Sequence, residues 1–380
     1  MKKTNWRIPL YKVSNDSSEI KAISKVIKRG MDWAIGPEVE KFENDLAKYI
    51  GTRYCVSFNS GTSAGHAALL SYNLKNNDQV LVPSFSFIAT ANWPLMVNAI
   101  TKFVDIEEIN YGMNPKNIEE SISKKTKIIM PTHYAGLPCK IDEIRRISKK
   151  NKITLIEDAA ESIGSKINKQ KVGTFGEVAI FSFAGNKILT SGEGGAVVTD
   201  SKEKFEKLKL IRSHGRKTIK NYFSNIQTPQ YVELGYNWRM SSITAALCLS
   251  QLSKIEKLIS LRRQNAKYYQ KKLAKIEGIK IHTEPKGYKH VYQLFSIQLP
   301  SKRIRDGLSR FLAKKGIMSK VFFDPIHLTK HFSNYKIKQK KLKVTETVSE
   351  RILSLPMYPE LTKEEINEIT GSISEFLEKL

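Results

Sequence analysis

Tyr54-Cys55-Val56-Ser57-Phe58-Asn59-Ser60-Gly61-Thr62-Ser63-Ala64-Gly65 is an apolar run that breaks off into small and hydroxylated residues. It reads as a short strand, a Gly-Thr-Ser turn, and a helix from about Ala64 to Tyr72. Free amides at such a helix start, with hydroxyls around them, make an anion site. Taken alone, the same residues also fit a plain capped helix. No Walker lysine follows, which argues against an NTPase, and no well-placed dinucleotide fingerprint is present.

Outward from this unit the pattern repeats. Glu38 to Tyr49 reads as an amphipathic helix with Val39, Phe42, Leu46 and Tyr49 on one face. Gln79–Pro83, Thr101–Asp105, Lys127–Met130 and Ile153–Glu157 are further short apolar strands, separated by helical patterns such as Ile141 to Lys149. Alternation of this kind predicts an α/β fold with a mainly parallel central sheet and helices on both faces. Val178–Phe183 and Gly195–Thr199 lie too close for an ordinary crossover helix, which leaves room for one of them to run antiparallel. After Met240 strands and helices mix differently: Ser241–Leu252, Lys254–Leu273, Lys302–Lys315 and Thr362–Leu377 read as helices, Ile279–His282 and Val291–Leu299 as strands. The expected division is a large domain over 1–254, with an N-terminal arm over 1–20, and a smaller C-terminal α+β domain over 255–380.

A chain of 380 residues has room for about two such domains, and its 41% hydrophobic content suits a soluble protein. Val80 to Thr101 carries no charge, but Pro83, Asn92, Pro94 and Asn98 argue for a buried strand, a turn and a core-facing helix, with no membrane insertion. The basic start Met1-Lys2-Lys3 lacks an apolar stretch behind it, so no secretory signal is read. Cys55, Cys139 and Cys248 are odd in number and widely spaced, without zinc spacing. A reducing, cytoplasmic location is expected, with no metal. The net charge of +26 is mostly lysine spread along the chain, as in Lys124-Lys125 and Lys271-Lys272. It favours phosphorylated small ligands; no specific nucleic-acid partner is expected.

The chemistry concentrates in two further stretches. Ile156-Glu157-Asp158-Ala159-Ala160-Glu161-Ser162 puts Asp158 at the carboxyl end of an apolar strand, where ligands of open α/β sheets gather. A carboxylate there can pair with a protonated pyridine nitrogen and keep the ring an electron sink. Glu161 is placed to reach the same ligand. Both carboxylates also fit an ordinary helix start. Phe181-Ser182-Phe183-Ala184-Gly185-Asn186-Lys187 ends in a lysine, a Schiff-base nucleophile toward a carbonyl cofactor. Ser182 with Gly61, Thr62 and Ser63 would hold a phosphate, and Phe87 would stack on a flat ring unless it is a core aromatic. An anion site, an acid, an aromatic and an amine at strand ends match pyridoxal phosphate better than any other common cofactor.

The chain resembles the DegT/DnrJ-type nucleotide-sugar aminotransferases over nearly its full length. Landmarks are Gly36–Glu43, Ser60–Ala64, Pro83-Ser84-Phe85, Val104-Asp105-Ile106, Glu157–Glu161, Phe181-Ser182-Phe183, Asn186-Lys187, Gly192–Gly195, Gly235–Met240 and Pro325–Leu328. The resemblance implies fold-type I of the pyridoxal phosphate enzymes, with the large domain binding pyridoxal 5′-phosphate, and a homodimer with shared active sites. It implies Lys187 as Schiff-base lysine and proton shuttle, and Asp158 on the pyridine nitrogen. Gly61, Thr62 and Ser182 would hold the phosphate, joined by Asn237 of the partner subunit. Phe87 stands where the family often stacks an aromatic. Glu161 stands where relatives carry glutamine or histidine near the phenolic oxygen. Arg239 and His327 would lie near the substrate, or else serve as structural contacts at the subunit interface.

Relatives that dehydrate ketosugars typically carry histidine where this chain has Lys187, so the lysine favours transamination. The Gly185-Asn186-Lys187 form is similar to perosamine-type synthases. The expected activity is transfer of an amine from an amino acid, with glutamate favoured, to a nucleotide-linked keto-deoxysugar, in amino-sugar and cell-surface polysaccharide biosynthesis. The alternatives are an inositol aminotransferase, a pyridoxal-dependent lyase, and a non-catalytic nucleic-acid-binding regulator on the same fold. Sugar contacts are expected from loops such as Arg212 to Tyr231 and from the second domain.

Overall fold

The computed structural model describes residues 6–217, 226, 228–335 and 341–380. Its strands are β1 Tyr54–Phe58, β2 Gln79–Pro83, β3 Ile100–Val104, β4 Thr126–Ile129, β5 Thr154–Asp158, β6 Lys166–Ile167, β7 Gln170–Lys171, β8 Val178–Ser182, β9 Gly195–Thr199, β10 Lys280–Ile281, β11 Tyr288–Lys289, β12 Phe295–Gln298 and β13 Ile352–Leu355. The α-helices are α1 Ser17–Arg29, α2 Pro37–Ile50, α3 Gly61–Leu70, α4 Ile88–Met96, α5 Pro115–Ser121, α6 Ile141–Lys150, α7 Lys202–Arg212, α8 Ser242–Ser253, α9 Ile255–Leu273, α10 Lys302–Lys314, α11 Lys330–Ser333, α12 Lys343–Arg351 and α13 Lys363–Leu377.

Seven strands form the central sheet in the order β1-β9-β8-β5-β4-β2-β3. All neighbours pair parallel except β9, which runs antiparallel to both β8 and β1. The short connection between β8 and β9 dictates this, since a parallel return needs a crossover of a dozen or more residues. Alternate strand residues feed opposite layers. Val56, Phe58, Val178 and Ile180 pack with α3 and α4, whereas Cys55, Ala179 and Phe181 pack with α2 and α8. The uncharged stretch from Val80 resolves into β2, a turn and α4, with Ala89, Ala91 and Trp93 in the core. No helix among the described residues is long and apolar enough to cross a membrane. Cys55, Cys139 and Cys248 are buried free thiols.

A second core gathers around β10-β12-β13, with Tyr269, Phe295, Leu308, Leu353 and Ile369 at its centre. Ile8 joins this core, and its backbone bonds to Gly316 and Met318. The segment read as an arm over 1–20 therefore already enters helix at Ser17, where Asp16 and Glu19 form a capping box. α3 begins at Gly61, earlier than its apolar pattern suggests, because the Ser60 hydroxyl accepts the Ser63 N–H.

Candidate active site

Three side chains meet at the carboxyl ends of β5 and β8. Asp158 closes β5 beside Ile180 of β8. It is 2% exposed. Its Oδ2 accepts from the hydroxyls of Thr90 (2.6 Å) and Thr132 (3.3 Å), and its Oδ1 from the Ala160 N–H (3.2 Å). Burial pushes this carboxyl above its usual range; Thr90, the Ala160 amide and the Lys187 charge pull the other way. A buried carboxylate oriented by three donors is suited to a cationic N–H partner, which would offset the desolvation. Lys187 lies on the turn after β8, its N–H bonded to the Ala184 carbonyl (2.9 Å). Its Nζ is 3.2 Å from Glu161 Oε1, and its side chain is only 13% exposed. Glu161 Oε2 accepts from the Ala135 N–H (3.0 Å), so the carboxylate is held from both sides.

The anion end lies two strands away, where Phe58, Gly195 and Ser182 are register partners on β1, β9 and β8. A Cβ added at Gly61 would lie 2.9 Å from Ser182 Cβ and 3.0 Å from its Oγ. One at Gly195 would lie 2.5 Å from the Ser60 carbonyl oxygen. Glycine at both positions lets the start of α3 press against the end of β8, bringing the Ser182 hydroxyl beside the helix N-terminus. The Ser63 N–H is spent on the Ser60 hydroxyl, and the two hydroxyls are 3.0 Å apart. The N–H groups of Gly61 and Thr62 have no acceptor among the described residues, as expected for the first turn of a helix. This is a cradle of the size and polarity a phosphate requires.

Phe87 is the N-cap residue of α4 and 60% exposed, so it is no core aromatic. Its carbonyl accepts the N–H of Thr90, the residue that holds Asp158, so ring and carboxylate share one turn. Asn237 is exposed on a segment that passes the end of β1, where the Trp238 carbonyl accepts the Asn59 N–H (2.9 Å). Arg239 follows it, half-buried. His327 is largely buried: Nδ1 is 2.7 Å from the Ser84 hydroxyl, which also accepts its backbone N–H (3.0 Å), and Nε2 is 3.4 Å from Glu346. Burial pushes this imidazole below its usual range, against the pull of Glu346. Neither Asn237 nor His327 bonds Asp158, Glu161 or Lys187 among the described residues. Residues 218–225 and 227 of the loop Arg212 to Tyr231 lie outside the described residues.

Several supporting residues escape a sequence reading. Thr90 interrupts an apolar helix, a visible signal; Thr132 and Ala135 carry none. Glu157, beside Asp158, faces the other side of the sheet. It accepts N–H bonds from Gly173 (2.9 Å), Phe175 (2.7 Å) and Gly176 (2.7 Å), and lies 3.2 Å from His133 Nε2. The Cys139 N–H donates to His133 Nδ1 (3.1 Å), so the ring proton is on Nε2, toward Glu157.

The DegT/DnrJ/EryC1/StrS aminotransferase family model matches residues 13–374. The GDP-perosamine synthase of Vibrio cholerae is 33% identical over 97% of this chain and 99% of its own length. The UDP-N-acetyl-3-dehydro-alpha-D-glucosamine 3-aminotransferase of Acidithiobacillus ferrooxidans is 35% identical over 90% of this chain and 89% of its own. Among solved structures, Helicobacter pylori PseC, an aminotransferase involved in the biosynthesis of pseudoaminic acid, superposes with a TM-score of 0.92 at 27% identity, covering 98% of this chain and 100% of that one. The family is pyridoxal-phosphate-dependent, and the cradle at Gly61, the buried Asp158 and the enclosed Lys187 fit that cofactor. The chain belongs to the DegT/DnrJ/EryC1/StrS family of sugar aminotransferases, and pyridoxal 5′-phosphate is its cofactor.

Proposed function

We propose that the chain transfers an amine from an amino acid, glutamate being favoured, to a nucleotide-linked keto-deoxysugar. The observation that carries this reading is the buried contact of Lys187 Nζ with Glu161, a few residues from Asp158 at the same strand ends. Gly61, Thr62 and Ser182 would hold the phosphate, with Ser63 fixing the turn and Asn237 reaching in from a partner subunit. Asp158 would face the pyridine nitrogen and Phe87 the ring. When bound, the cofactor supplies the electron sink. Lys187 Nζ would take the proton from the donor's α-carbon and place it, within the same half-reaction, on the cofactor carbon to which the lysine had been joined, and would carry a proton the other way with the ketosugar. Glu161 Oε1 orients that amine and balances its charge when protonated. Asp158, short of water, keeps its facing nitrogen protonated.

The two relatives named above act on GDP- and UDP-linked sugars by their names, so they support a nucleotide-sugar acceptor without choosing between nucleotides. The +26 charge suits a diphosphate-linked substrate. Arg239 and His327 are assigned to the substrate side, and the enzyme to the cytoplasm as a homodimer. Exposed Trp33, Val232, Leu234 and Leu328 would supply apolar surface for that association. The test is Lys187→Ala, assayed with glutamate against a panel of nucleotide-linked ketosugars and keto-inositols. Loss of the visible lysine-bound cofactor band and of turnover is expected. A variant that keeps both refutes the assignment, and wild-type turnover confined to keto-inositols replaces the acceptor class.

A further inference from the structure

Asn186, Lys187 and Ile188 lie on a turn outside any helix or strand, so no ladder of backbone bonds fixes the lysine. Beside the local bond of the Lys187 N–H to the Ala184 carbonyl, the flanking residues are held by one side chain more than a hundred residues away. Gln293 is 3% exposed. Its Nε2 donates to the Asn186 carbonyl (2.7 Å), and its Oε1 accepts the Ile188 N–H (3.0 Å). These are the two neighbours of Lys187.

The segment carrying Gln293 also holds the lysine's partner. Val291 N–H bonds to the Gly136 carbonyl (3.0 Å) and Leu294 N–H to the Ala135 carbonyl (3.3 Å). Ala135 N–H in turn holds Glu161, whose other oxygen meets Lys187 Nζ. A closed circuit results, running from the lysine through Glu161 and Ala135 to 291–294, and back through the Gln293 amide to both sides of the lysine. The circuit is anchored firmly. Arg262, buried, donates Nη1 to the carbonyls of Tyr292 (3.1 Å), Gln293 (3.4 Å) and Met357 (3.1 Å). Tyr292 (φ 51°) and Ala135 (φ 56°) both adopt left-handed backbone, which residues with a Cβ keep only where the surroundings over-determine it. At Gly136 an added Cβ would lie 2.6 Å from Val291 Cγ2 and 3.2 Å from the Glu161 carbonyl oxygen, so the two segments touch through a glycine.

We propose that Gln293 is the positioning residue for Lys187: its amide grips the backbone on either side of the lysine while its own segment holds Glu161 against the amine. The proposal rests on Lys187 being the Schiff-base lysine. A lysine side chain is long and flexible, and its amine has to serve two atoms in turn. Fixing the backbone beneath it shortens the search, and a displacement of about 1 Å at such a group can cost about 100-fold in rate. The position asks for a donor and an acceptor together, which a carboxamide supplies, a carboxylate half supplies and a thioether does not.

The test uses the full chain with Gln293→Met, which removes both bonds, and Gln293→Glu, which keeps the acceptor for Ile188 and loses the donor to Asn186. Three quantities are read: the pH midpoint of the visible lysine-bound cofactor band, the rate of the half-reaction with the amino donor, and amide exchange over 184–190 in the cofactor-free protein. Both variants should move the band's pH midpoint and slow the half-reaction about 10- to 100-fold at nearly unchanged donor affinity. Exchange at Ile188 should accelerate in Gln293→Met and less in Gln293→Glu. A Gln293→Met protein that melts earlier yet keeps the wild-type band midpoint and half-reaction rate would show a merely structural residue and overturn the proposal. Should that variant not fold, Gln293→Glu decides by the same criteria. Hydride reduction of the wild type separates the underlying reading: if the cofactor is not fixed on Lys187, the lysine assignment itself falls.

Discussion

Gly61→Ala puts the phosphate cradle under a measurable load. The new methyl would stand 2.9 Å from Ser182 Cβ, 3.0 Å from its Oγ and 3.3 Å from its Cα. Carbon pairs prefer about 3.5–4.0 Å, so helix and strand must part by about half an ångström or more. Neither gives easily. Ser182 is locked in register with Gly195 on β9, and Gly195 itself presses on the Ser60 carbonyl on the far side of the same turn. Overpacking of this kind costs about 1–3 kcal/mol of stability. The displaced helix start also carries the Gly61 and Thr62 amides away from the Ser182 hydroxyl. Cofactor affinity should fall about 10- to 100-fold, equivalent to ~1.4–2.8 kcal/mol. The assay pairs a cofactor titration by the visible band with a melting curve of the cofactor-free chain. If the melting temperature falls while cofactor affinity stays at the wild-type value, the phosphate is held elsewhere. If neither changes, the close approach of α3 to β8 is wrong.

The opposite sign is expected at Gly371, mid-way along α13, where an added methyl meets nothing within 4 Å. Gly371→Ala should stabilise the chain by about 0.5–1 kcal/mol with no change in cofactor affinity, read by denaturant titration, and a loss of stability there refutes the open space beside Gly371. Glu19 accepts bonds from Asp16 N–H (2.8 Å), Gln251 (2.8 Å) and Ser250 (3.0 Å), and pairs with Lys254 (2.6 Å). Burial pushes its carboxyl up, but Lys254 and the other donors outweigh burial and hold it at about 2. Its folded pKa is below its unfolded one, so this contribution is complete above about pH 4.5 and is lost as pH falls toward about 2. Glu19→Gln should flatten the melting profile across that window and lower neutral-pH stability by about 1–3 kcal/mol; a profile parallel to wild type refutes the pairing. Mixing Lys187→Ala with Asn237→Ala subunits should restore about one quarter of wild-type sites if Asn237 serves the partner's phosphate, because half the random dimers are hybrids with one intact site each. Absence of recovery, with subunit exchange verified, refutes shared sites.

These tests divide along a line that also separates what the sequence discloses from what it hides. β1, β2, β5 and β8 are legible because alternate residues feed two apolar layers, and a run such as Ile156 to Asp158 announces both the strand and the polar residue that ends it. Asp158, Glu161 and Lys187 stand out as candidates for a related reason: each closes or closely follows a strand, where a carboxylate or an amine has few roles. The capping box of Asp16 and Glu19, which opens α1 at Ser17, is equally local. The β6, β7 and β11 pairs carry no such signal, because two residues cannot display a period.

Gln293 shows the limit most sharply. Val291 to Leu299 reads as a strand, and a glutamine in a strand is unremarked until the chain folds. Only then do Asn186 and Ile188 stand on either side of its amide. What makes the residue matter is a loop that lacks a backbone ladder, and that deficiency belongs to Lys187, not to Gln293. Asn186, Lys187 and Ile188 lie outside any helix or strand, so part of their backbone bonding falls to a distant side chain. The candidate carboxylates and lysine are therefore local and readable, while the contacts around them are long-range and become visible only when the hydrogen bonds of the turn are accounted for one by one.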